Sequence, residues 1–554
     1  MLNDFTPKIF TSIKTLNKDQ LFRDIMSGIS VGIVALPLAV AFGISSGVTP
    51  EQGLISAIIG GLIVSLLGGS STQIAGPSGT FLIISYSLVT QYGVQGLLLA
   101  TAMAGVILML MGFLRLGTII KFIPYPIIVG FTSGIAILIV TSQVRDFFGV
   151  DNSIYLPSDF IGKWGALFQN ISSVSIASIC VAILTALIMT QSKRLTTKIP
   201  GSLIAIIAIS LLVYIFDEVL SLVDVQTIGS LYSIKSAIPA PQAIDFSLES
   251  IQLLLPSAFT IALLSAIEAL LSAIVADGIT GDSTNSNMEL IAQGAANFTV
   301  PFFGGIPLSG VIARTMTNVA NGGRTPLAGV IHSLLLLGVL LFLMPLVKFV
   351  PMAALSGVLL VVSYNMSEWR TFVGMVRTKT SGSLVLIITF ILTIVVDLSV
   401  AIEMGLILAA LLFMKRISES SSISLLDKSV TTSSGEELNL SDEIGVYEID
   451  GPFFFGVANK FEEVMKSSQN SHHKVRIIRM RRVPFIDTTG LHNLEMLIRR
   501  SVKSGIHIVL SGINEDVRKS LANSEFINST LGEDDICDNI TIAVERAKNI
   551  AAEC

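Results

Sequence analysis

Charge is scarce in most of this chain, and its distribution separates two regions. The 554 residues include 35 Lys and Arg and 40 Asp and Glu, of which 14 and 19, respectively, lie in residues 436–554. The other 435 residues carry 21 of each sign, far below the roughly 25% charged residues of a typical soluble domain. So few charges cannot cover a water-exposed surface of that size. A soluble enzyme, a disordered chain and a nucleic-acid-binding protein are therefore excluded.

Residues used in metal, redox and nucleotide chemistry are also few. Three cysteines and five histidines occur, none of them in a metal-ligand spacing, and no disulfide framework is indicated. The sequence has no GxxxxGK(S/T) phosphate loop, so nothing indicates a built-in ATP motor. We therefore expect a protein that is not an enzyme and that needs no cofactor.

Long apolar runs are abundant and predict a polytopic α-helical membrane protein with 14 transmembrane segments. The runs are bounded by Gly, Pro or charged residues, and several are shorter than the ~20 residues of a clean span. They lie at about 27–46, 53–69, 76–90, 96–114, 123–144, 173–191, 201–216, 251–276, 288–303, 310–321, 326–347, 350–364, 382–398 and 400–415.

Basic residues near the runs predict the orientation of the chain. They precede the first run and follow the fourth, sixth, twelfth and last, which all lie on one side if fourteen runs span. By the positive-inside rule that side is the cytoplasm, so both termini are predicted to be cytoplasmic and the protein to lie in the cell (inner) membrane.

The C-terminal region has a different pattern. Residues 417–435 are Ser-rich and predict a linker. In the region 436–554, residues 443–455, 474–480 and 506–511 have strand patterns, whereas 459–468 and 489–503 have helical periodicity. This alternation predicts a small cytoplasmic α/β domain.

Two of the short runs begin in the same way. Residues 72–79 are TQIAGPSG and residues 303–310 are FGGIPLSG, each an extended stretch with a Pro, followed by Ser-Gly and an apolar half-helix. These are the third and tenth runs, equivalent positions in a seven-plus-seven arrangement with inverted repeats. Paired, Gly/Pro-interrupted short segments indicate the central site of a transporter.

Two facing half-helix N-termini favour an anion, because their N–H groups and positive dipole ends are directed at the ligand. We expect Gly79 and Gly310 to allow close approach of the ligand to the backbone, although glycines of this kind also serve helix packing. The predicted substrate-binding residues are Ser78, Gly79, Thr80, Gly310, Val311, Ile312 and Arg314.

Two ionisable residues lie deep in apolar runs and are therefore functional candidates. Arg314 would add positive potential beside the tenth half-helix; the alternative is an arginine that snorkels to the interface. Glu268, with Ser272 one turn later on the same face, is suited to binding and releasing a proton or cation. For Glu268 the structural alternative is a permanent ion pair with Arg314.

The C-terminal domain contains an Asp-Thr-Thr-Gly turn at 487–490, placed between a predicted strand and a predicted helix. Thr488 could accept a phosphate there and serve regulation. The simpler interpretation is that Thr488 and Thr489 cap the following helix.

Several of these motifs together resemble the SulP (sulfate permease) family of anion transporters. They are ALPLAVAFG at 35–43, GPSG at 76–79, IEALLSAIVAD at 267–277, GGIP at 304–307, Ala313-Arg314-Thr315 with Asn318, and GRTP at 323–326. The domain at 436–554 resembles a STAS domain, whose signature turn matches DTTG at 487–490.

The resemblance implies seven-plus-seven inverted repeats divided into core and gate domains, elevator-like movement of the core, and a homodimer. In the family, substrate lies between the third and tenth half-helices, and the carboxylate that matches Glu268 is linked to cation or proton coupling. The implied partners are an inorganic or carboxylate anion, a coupling proton or sodium ion, the lipid bilayer, and a cytoplasmic regulatory protein on the STAS domain.

The predicted organisation follows from the runs and the resemblance together. It consists of an N-terminal cytoplasmic segment (1–24), a transmembrane domain (25–416), a linker (417–435) and a STAS domain (436–554). Within the transmembrane domain the core is expected at about 25–115 and 251–347, and the gate at about 123–217 and 350–416.

Two departures from the family bear on the substrate and the coupling ion. Leu38 stands where many sulfate-type members have Gln, and bicarbonate and dicarboxylate members also tend to be apolar there. Glu268, Ser272 and Ile312 stand where sodium-coupled bicarbonate members have Asp, Thr and Thr, which weakens the case for sodium.

We therefore expect a secondary active, proton-coupled transporter with sulfate as the first candidate substrate. Bicarbonate or C4-dicarboxylate symport and an uncoupled anion exchanger or channel are the alternatives. A third class, a membrane-anchored signalling protein, is disfavoured by fourteen spans with a symmetric buried site.

Overall fold

The computed structural model describes most of the chain as two compact units. The described residues are 5–14, 16–118, 124–151, 154, 160–195, 201–216, 225–396, 398–426, 429–431, 437–456, 473–522 and 529–553. The units are Met1–Ile407, which we name the membrane unit, and Leu408–Cys554, which we name the tail unit.

The membrane unit is built of helices with two very short strands, β1 (Ala75–Gly76) and β2 (Ser309–Gly310). Its helices up to the centre of the chain are α1 (Lys8–Lys14), α2 (Lys18–Ser45), α3 (Pro50–Ile55), α4 (Gly61–Leu67), α5 (Leu82–Phe113), α6 (Tyr125–Ser142), α7 (Val144–Phe148), α8 (Phe160–Gln169), α9 (Ile176–Leu195), α10 (Gly201–Tyr214) and α11 (Ile228–Leu231). Those that follow are α12 (Leu248–Thr280), α13 (Ser286–Thr299), α14 (Ile312–Ala320), α15 (Leu327–Gly338), α16 (Met344–Val347), α17 (Met352–Met366), α18 (Trp369–Arg377), α19 (Ser381–Val395) and α20 (Leu398–Ser420), which continues into the tail unit.

Six segments in the described part of the chain are long and apolar enough to cross a membrane. They are Lys18–Ser45, Pro50–Leu67, Gly79–Phe113, Tyr125–Ser142, Leu248–Thr280 and Leu327–Val347. Shorter apolar helices lie at Ile176–Ser192, Gly201–Tyr214 and Ser381–Val395. The helices agree with a polytopic membrane protein, whereas the number of fourteen spans stays a prediction.

The third and fourth predicted runs meet at Gly93, inside α5. Gly93 has φ 70° and ψ 178°, a conformation that interrupts the helix and that a residue with a Cβ rarely adopts. The segment Gly79–Phe113 is therefore two helices joined at a glycine. The break lies between 76–90 and 96–114, where the sequence predicts a boundary.

Helices of the membrane unit pack at short range through small residues. In the predicted core, α5 packs against α12 and α13, and α2 packs against α15; in the predicted gate, α6 packs against α17 and α19. A Cβ on Gly105 of α5 would lie 2.3 Å from the Phe298 nitrogen, and one on Gly294 of α13 would lie 2.6 Å from the Met109 nitrogen. Only glycine allows this approach, which is the usual way that membrane helices gain packing contacts. The domain boundaries themselves stay a prediction.

The tail unit is an α/β sandwich around a five-stranded sheet in the order β3-β6-β7-β8-β9. Its strands and helices are β3 (Ser422–Leu426), β4 (Ser429–Thr431), β5 (Glu437–Asn439), β6 (Ile444–Asp450), β7 (Val475–Arg482), α21 (Thr488–Lys503), β8 (His507–Ser511), α22 (Glu515–Ala522), β9 (Ile536–Cys537) and α23 (Ile540–Glu553). The pairs β6–β7, β7–β8 and β8–β9 are parallel, and β3 pairs antiparallel with β6. Alternation along β6 separates two cores, because Tyr447 packs with Leu494 of α21 whereas Val446 packs with Val544 of α23.

The interpretation of 417–435 as a linker is wrong for its described residues. α20 continues to Ser420, and β3 pairs with β6 from Ser422↔Asp450 to Leu426↔Val446. Serine-rich composition suggested a flexible segment, but the hydrogen bonds between β3 and β6 are formed by backbone N–H and carbonyl groups, which serine also provides. The predicted helix 459–468 lies outside the described residues.

Capping of α21 by threonine is also wrong. Asp487 is the N-cap, and its Oδ1 accepts a hydrogen bond from the Gly490 N–H at 2.6 Å. Its Oδ2 accepts from the Phe455 N–H at 3.2 Å. Thr488 is exposed, so its hydroxyl is accessible to solvent. Its phosphorylation stays a prediction.

Asp487→Ala is expected to destabilise the start of α21 by about 1 kcal/mol, because the Gly490 N–H loses its acceptor. In hydrogen–deuterium exchange of the full chain, amides in the first turns of α21 should exchange about fivefold faster. Thr488→Ala is the matched control and should leave their exchange unchanged. Equal effects of the two substitutions would contradict the assignment of the cap.

Candidate anion site

The two segments that the sequence predicts as half-helix openings lie side by side in the membrane unit. β1 pairs antiparallel with β2 in the register Ala75↔Gly310 and Gly76↔Ser309. The Val311 N–H extends the pairing by donating to the Ile74 carbonyl at 3.0 Å. The ends of the two segments are thereby fixed next to each other.

Each strand leads directly into a helix start. Ser78 is the N-cap of the 3₁₀ turn Gly79–Phe81 that precedes α5, and its Oγ accepts from the Thr80 N–H at 3.1 Å. Val311 is the N-cap of α14 and gives no side-chain cap, so the first N–H groups of α14 are left for another acceptor. Ile312 is 38% exposed, whereas Ser78 and Thr80 are buried. Two helix N-termini, one of them open, therefore lie beside the paired strands.

Glu268 of α12 connects both segments. Its Oε2 accepts a hydrogen bond from the Ser78 hydroxyl at 2.8 Å and from the Ser309 hydroxyl at 2.5 Å. One hydroxyl comes from each half of the predicted repeat. Burying a carboxylate in an apolar surrounding is costly unless its oxygens accept hydrogen bonds, and an ionised carboxylate can only accept.

Arg314 of α14 lies against the end of β1 and is only 1% exposed. Its Nη2 donates to the Pro77 carbonyl at 3.0 Å, and a Cβ on Gly76 would lie 2.0 Å from its Nη1. Its Nε and Nη1 have no hydrogen-bond partner among the described residues. The alternative of a snorkelling arginine is wrong, because the guanidinium is enclosed by protein. Arg314 can act on an anion through its charge.

A permanent ion pair between Glu268 and Arg314 is likewise wrong for this structure. Among the ion pairs formed by described residues, none joins these two side chains, although the charge of Arg314 acts on Glu268 electrostatically. Glu268 instead takes its hydrogen bonds from the neutral hydroxyls of Ser78, Ser309 and Thr80. Its charge is therefore balanced only at a distance.

Ser272 does not bond to Glu268. Its hydroxyl donates to Thr315 Oγ1 at 3.0 Å, and the same oxygen accepts from the Ile74 N–H at 3.1 Å. Ser272 thus holds Thr315, which in turn bonds the backbone of the first segment at Ile74. The role of Ser272 in coupling stays a prediction.

The two predicted glycines have different surroundings. A Cβ on Gly79 would lie 3.1 Å from Ile139 Cδ1 and 3.4 Å from Met366 Sδ, so this position faces apolar side chains of α6 and α17. A Cβ on Gly310 would lie 1.4 Å from Gln73 Nε2. The buried Gln73 side chain therefore fills the space in the Cβ direction of Gly310, and close approach of a ligand to this glycine stays a prediction.

Several residues that hold the site were not predicted. Asn297 donates from Nδ2 to the Leu308 carbonyl at 2.9 Å and accepts from the Leu308 N–H at 3.0 Å; Asn318 donates to the Thr72 carbonyl at 2.8 Å. Non-helical backbone at membrane depth needs such partners. Ser309 was also missed, although the repeated Ser-Gly at 78–79 and 309–310 was a usable signal.

These features define a class of protein. Two interrupted segments from the two halves of a helical membrane unit meet at a central site with helix N-termini, a carboxylate and a guanidinium. This is the architecture of a helical membrane transporter with discontinuous helices.

Comparison with known proteins identifies the family. The family description "Sulfate permease family" matches residues 21–389, and "STAS domain" matches residues 437–540. The chain belongs to the sulfate permease family. The predictions of a polytopic helical membrane fold and of a STAS domain are thereby confirmed.

Individual relatives span nearly the whole chain. It is 37% identical over 511 residues to "Putative sulfate transporter YvdB" of Bacillus subtilis (strain 168), covering 92% of this chain and 94% of that protein. It is 30% identical over 520 residues to "Bicarbonate transporter BicA" of Synechocystis sp., covering 90% and 89%. The structure of the murine anion transporter Slc26a9 in the inward-facing state has the same fold, with a TM-score of 0.89 at 18% identity over 99% of this chain and 94% of that one. These relatives are named as transporters, in agreement with the expectation that the protein is not an enzyme.

Gly310→Ala is expected to destabilise the membrane unit by about 1–3 kcal/mol, because its Cβ overlaps the Gln73 amide. The apparent melting temperature of the purified protein should fall. The double variant Gln73→Ala/Gly310→Ala should recover most of the loss.

Gly278→Ala serves as the control, since a Cβ there meets no atom within 4 Å among the described residues. It should leave the melting temperature unchanged or slightly higher. A double variant as unstable as Gly310→Ala would contradict the packing of Gln73 against Gly310.

Proposed function

We propose that this protein is a secondary active transporter of an inorganic anion, with sulfate as the first candidate and a proton as the coupling ion. The observation that carries the proposal is the bonding of Glu268 to Ser78 and Ser309 between two helix starts. Glu268 can bind a proton, and these two hydrogen bonds connect it to both halves of a site that favours anions.

The anion is proposed to bind at the open start of α14 and at the turn after Ser78. The N–H groups of Gly79 and Ile312, at the starts of the two helices, present partial positive charge, as helix N-termini do. The guanidinium of Arg314 adds a full charge. Apolar side chains opposite Gly79, such as Ile139 and Met366, would exclude water and strengthen this attraction.

The proton is proposed to bind Glu268. An anion and an ionised Glu268 in one site repel each other, so uptake of a proton by Glu268 lowers the cost of loading the core. Proton rather than sodium coupling is favoured because Ile312 offers no oxygen ligand and the Ser272 hydroxyl is bonded to Thr315. Sodium requires several oxygen ligands at once.

Movement is proposed to be elevator-like. The predicted core helices pack around the site, and the side chains opposite Gly79 belong to the predicted gate. Sliding of the core along the gate would carry the site across the membrane. We further propose a homodimer in the inner membrane with cytoplasmic termini, and a STAS domain that binds a regulatory protein, with Thr488 as its regulatory site.

The substrate has alternatives that the same site supports. Relatives are named both as sulfate and as bicarbonate transporters, and Leu38 fits the apolar residue of bicarbonate and dicarboxylate members. Bicarbonate or C4-dicarboxylate symport, sodium- or proton-coupled, is therefore the second candidate. An uncoupled exchanger or channel would use the same site without accumulating the anion.

The test is uptake into proteoliposomes. Purified protein is given sulfate, bicarbonate, succinate or chloride, with pH and sodium gradients imposed separately. A gradient of one pH unit stores about 1.4 kcal/mol per proton, enough for up to about tenfold accumulation per coupled proton. We expect sulfate to accumulate with an inward proton gradient and without sodium.

Glu268→Gln should abolish accumulation driven by the proton gradient, since the amide does not titrate. Exchange of labelled anion across the membrane should persist, because the site and fold remain. Accumulation by Glu268→Gln at the wild-type level would refute the coupling role of Glu268.

A further inference from the structure

The two serine hydroxyls that bond Glu268 are the feature from which we draw a further inference. We propose that the hydroxyls of Ser78 and Ser309 are exchanged between Glu268 and the transported anion, so that protonation of Glu268 releases them to the anion. This inference rests on the proposed proton-coupled anion transport and specifies how the proton and the anion communicate.

Donor capacity is the first argument. A serine has a single O–H, and both hydrogens are directed at the same oxygen, Oε2 of Glu268. While Glu268 is ionised, neither Ser78 nor Ser309 has a hydrogen to offer an anion. The ionised carboxylate and the anion therefore compete for the same two donors.

The position of the serines is the second argument. Each precedes a predicted site glycine, Gly79 or Gly310, and both are buried, with exposures of 4% for Ser78 and 0% for Ser309. The Oγ of Ser78 also accepts from the Thr80 N–H, so the hydroxyl oxygen is held in place while its hydrogen can rotate. Ser78 directly precedes the turn at which the anion is proposed to bind.

Protonation reverses the direction of a hydrogen bond at Glu268. The protonated carboxyl donates through its O–H and accepts only weakly, whereas the carboxylate accepts strongly. Once Glu268 donates to one serine, that serine must turn its own hydrogen elsewhere, and the second serine loses its strong acceptor. Both hydrogens are then available to the anion.

Few other charges act at this point. α12 packs against α5, α13 and α14, and the charged group that faces Glu268 from α14 is Arg314. Glu289 of α13 accepts instead from the Gly69 and Ser70 N–H groups. On α5, the ring of the titratable residue Tyr86 contacts the ammonium of Lys163, which lies 5.2 Å from the ring centroid. The exchange is therefore controlled by Glu268 in the constant field of Arg314.

The experiment measures equilibrium binding of sulfate, which stays a dianion over the whole range, to the purified full-length protein at low and at high pH. Wild type should bind more tightly at low pH. Ser309→Ala should weaken binding about tenfold at low pH, where the anion loses a donor, and less than about twofold at high pH, where Glu268 already holds that donor.

Two variants serve as controls. Ser309→Thr keeps the hydroxyl and should restore the dependence on pH. Ser65→Ala removes a buried serine of α4 that donates to its own helix at the Gly61 carbonyl, and it should bind like wild type at both pH values. A melting temperature close to that of wild type verifies folding of each variant.

The outcomes separate this inference from the proposed function. Equal weakening by Ser309→Ala at both pH values, in a protein that accumulates sulfate with protons, would mean that the serine is only structural and would overturn the exchange. Wild type that neither binds sulfate nor accumulates any anion of the uptake panel would overturn the proposed function itself. A large loss at low pH alone supports the exchange.

Discussion

The antiparallel pairing of Ala75–Gly76 with Ser309–Gly310 is the constraint on which the rest of the membrane unit depends. Backbone that leaves the helix inside a membrane loses its internal hydrogen bonds, and lipid offers no replacement. Pairing the two interruptions with each other satisfies part of that requirement. It also fixes the helix starts next to each other, which neither segment could do alone.

Further backbone groups of the two segments are bonded by side chains of α12, α13 and α14. Asn297 serves both the N–H and the carbonyl of Leu308, Ser265 donates to the same carbonyl at 3.0 Å, and Thr315 accepts from Ile74. Three successive helices therefore hold the two segments in place. One of them, α12, also brings Glu268 to the hydroxyls of Ser78 and Ser309.

The charged side chains at the site are also bonded separately. Glu268 and Arg314 are not paired with each other, because Glu268 is bonded by serine hydroxyls and the Arg314 guanidinium donates to a carbonyl. A direct ion pair would neutralise both and would remove the positive potential that an anion requires. Keeping them apart is what the proposed function requires of Arg314 as a fixed source of positive potential and of Glu268 as a group that binds a proton. In the tail unit, by contrast, surface ion pairs such as Arg482–Asp450 are exposed and contribute little to stability.

The sequence alone determined the local properties of the chain but not the long-range contacts of its site residues. Apolar runs, paired Ser-Gly openings and two deep charges were sufficient to predict a helical membrane protein with a central site at 78–80 and 310–314, because span length and burial of charge are local properties of the chain. The partners of these residues were not local. Which group bonds Glu268, whether Arg314 reaches lipid or Pro77, and which side chain lies against Gly310 depend on residues up to 237 positions apart. Those contacts were decided by the pairing of β1 with β2, since hydrogen bonds at membrane depth must be completed by whatever the tertiary structure brings within reach.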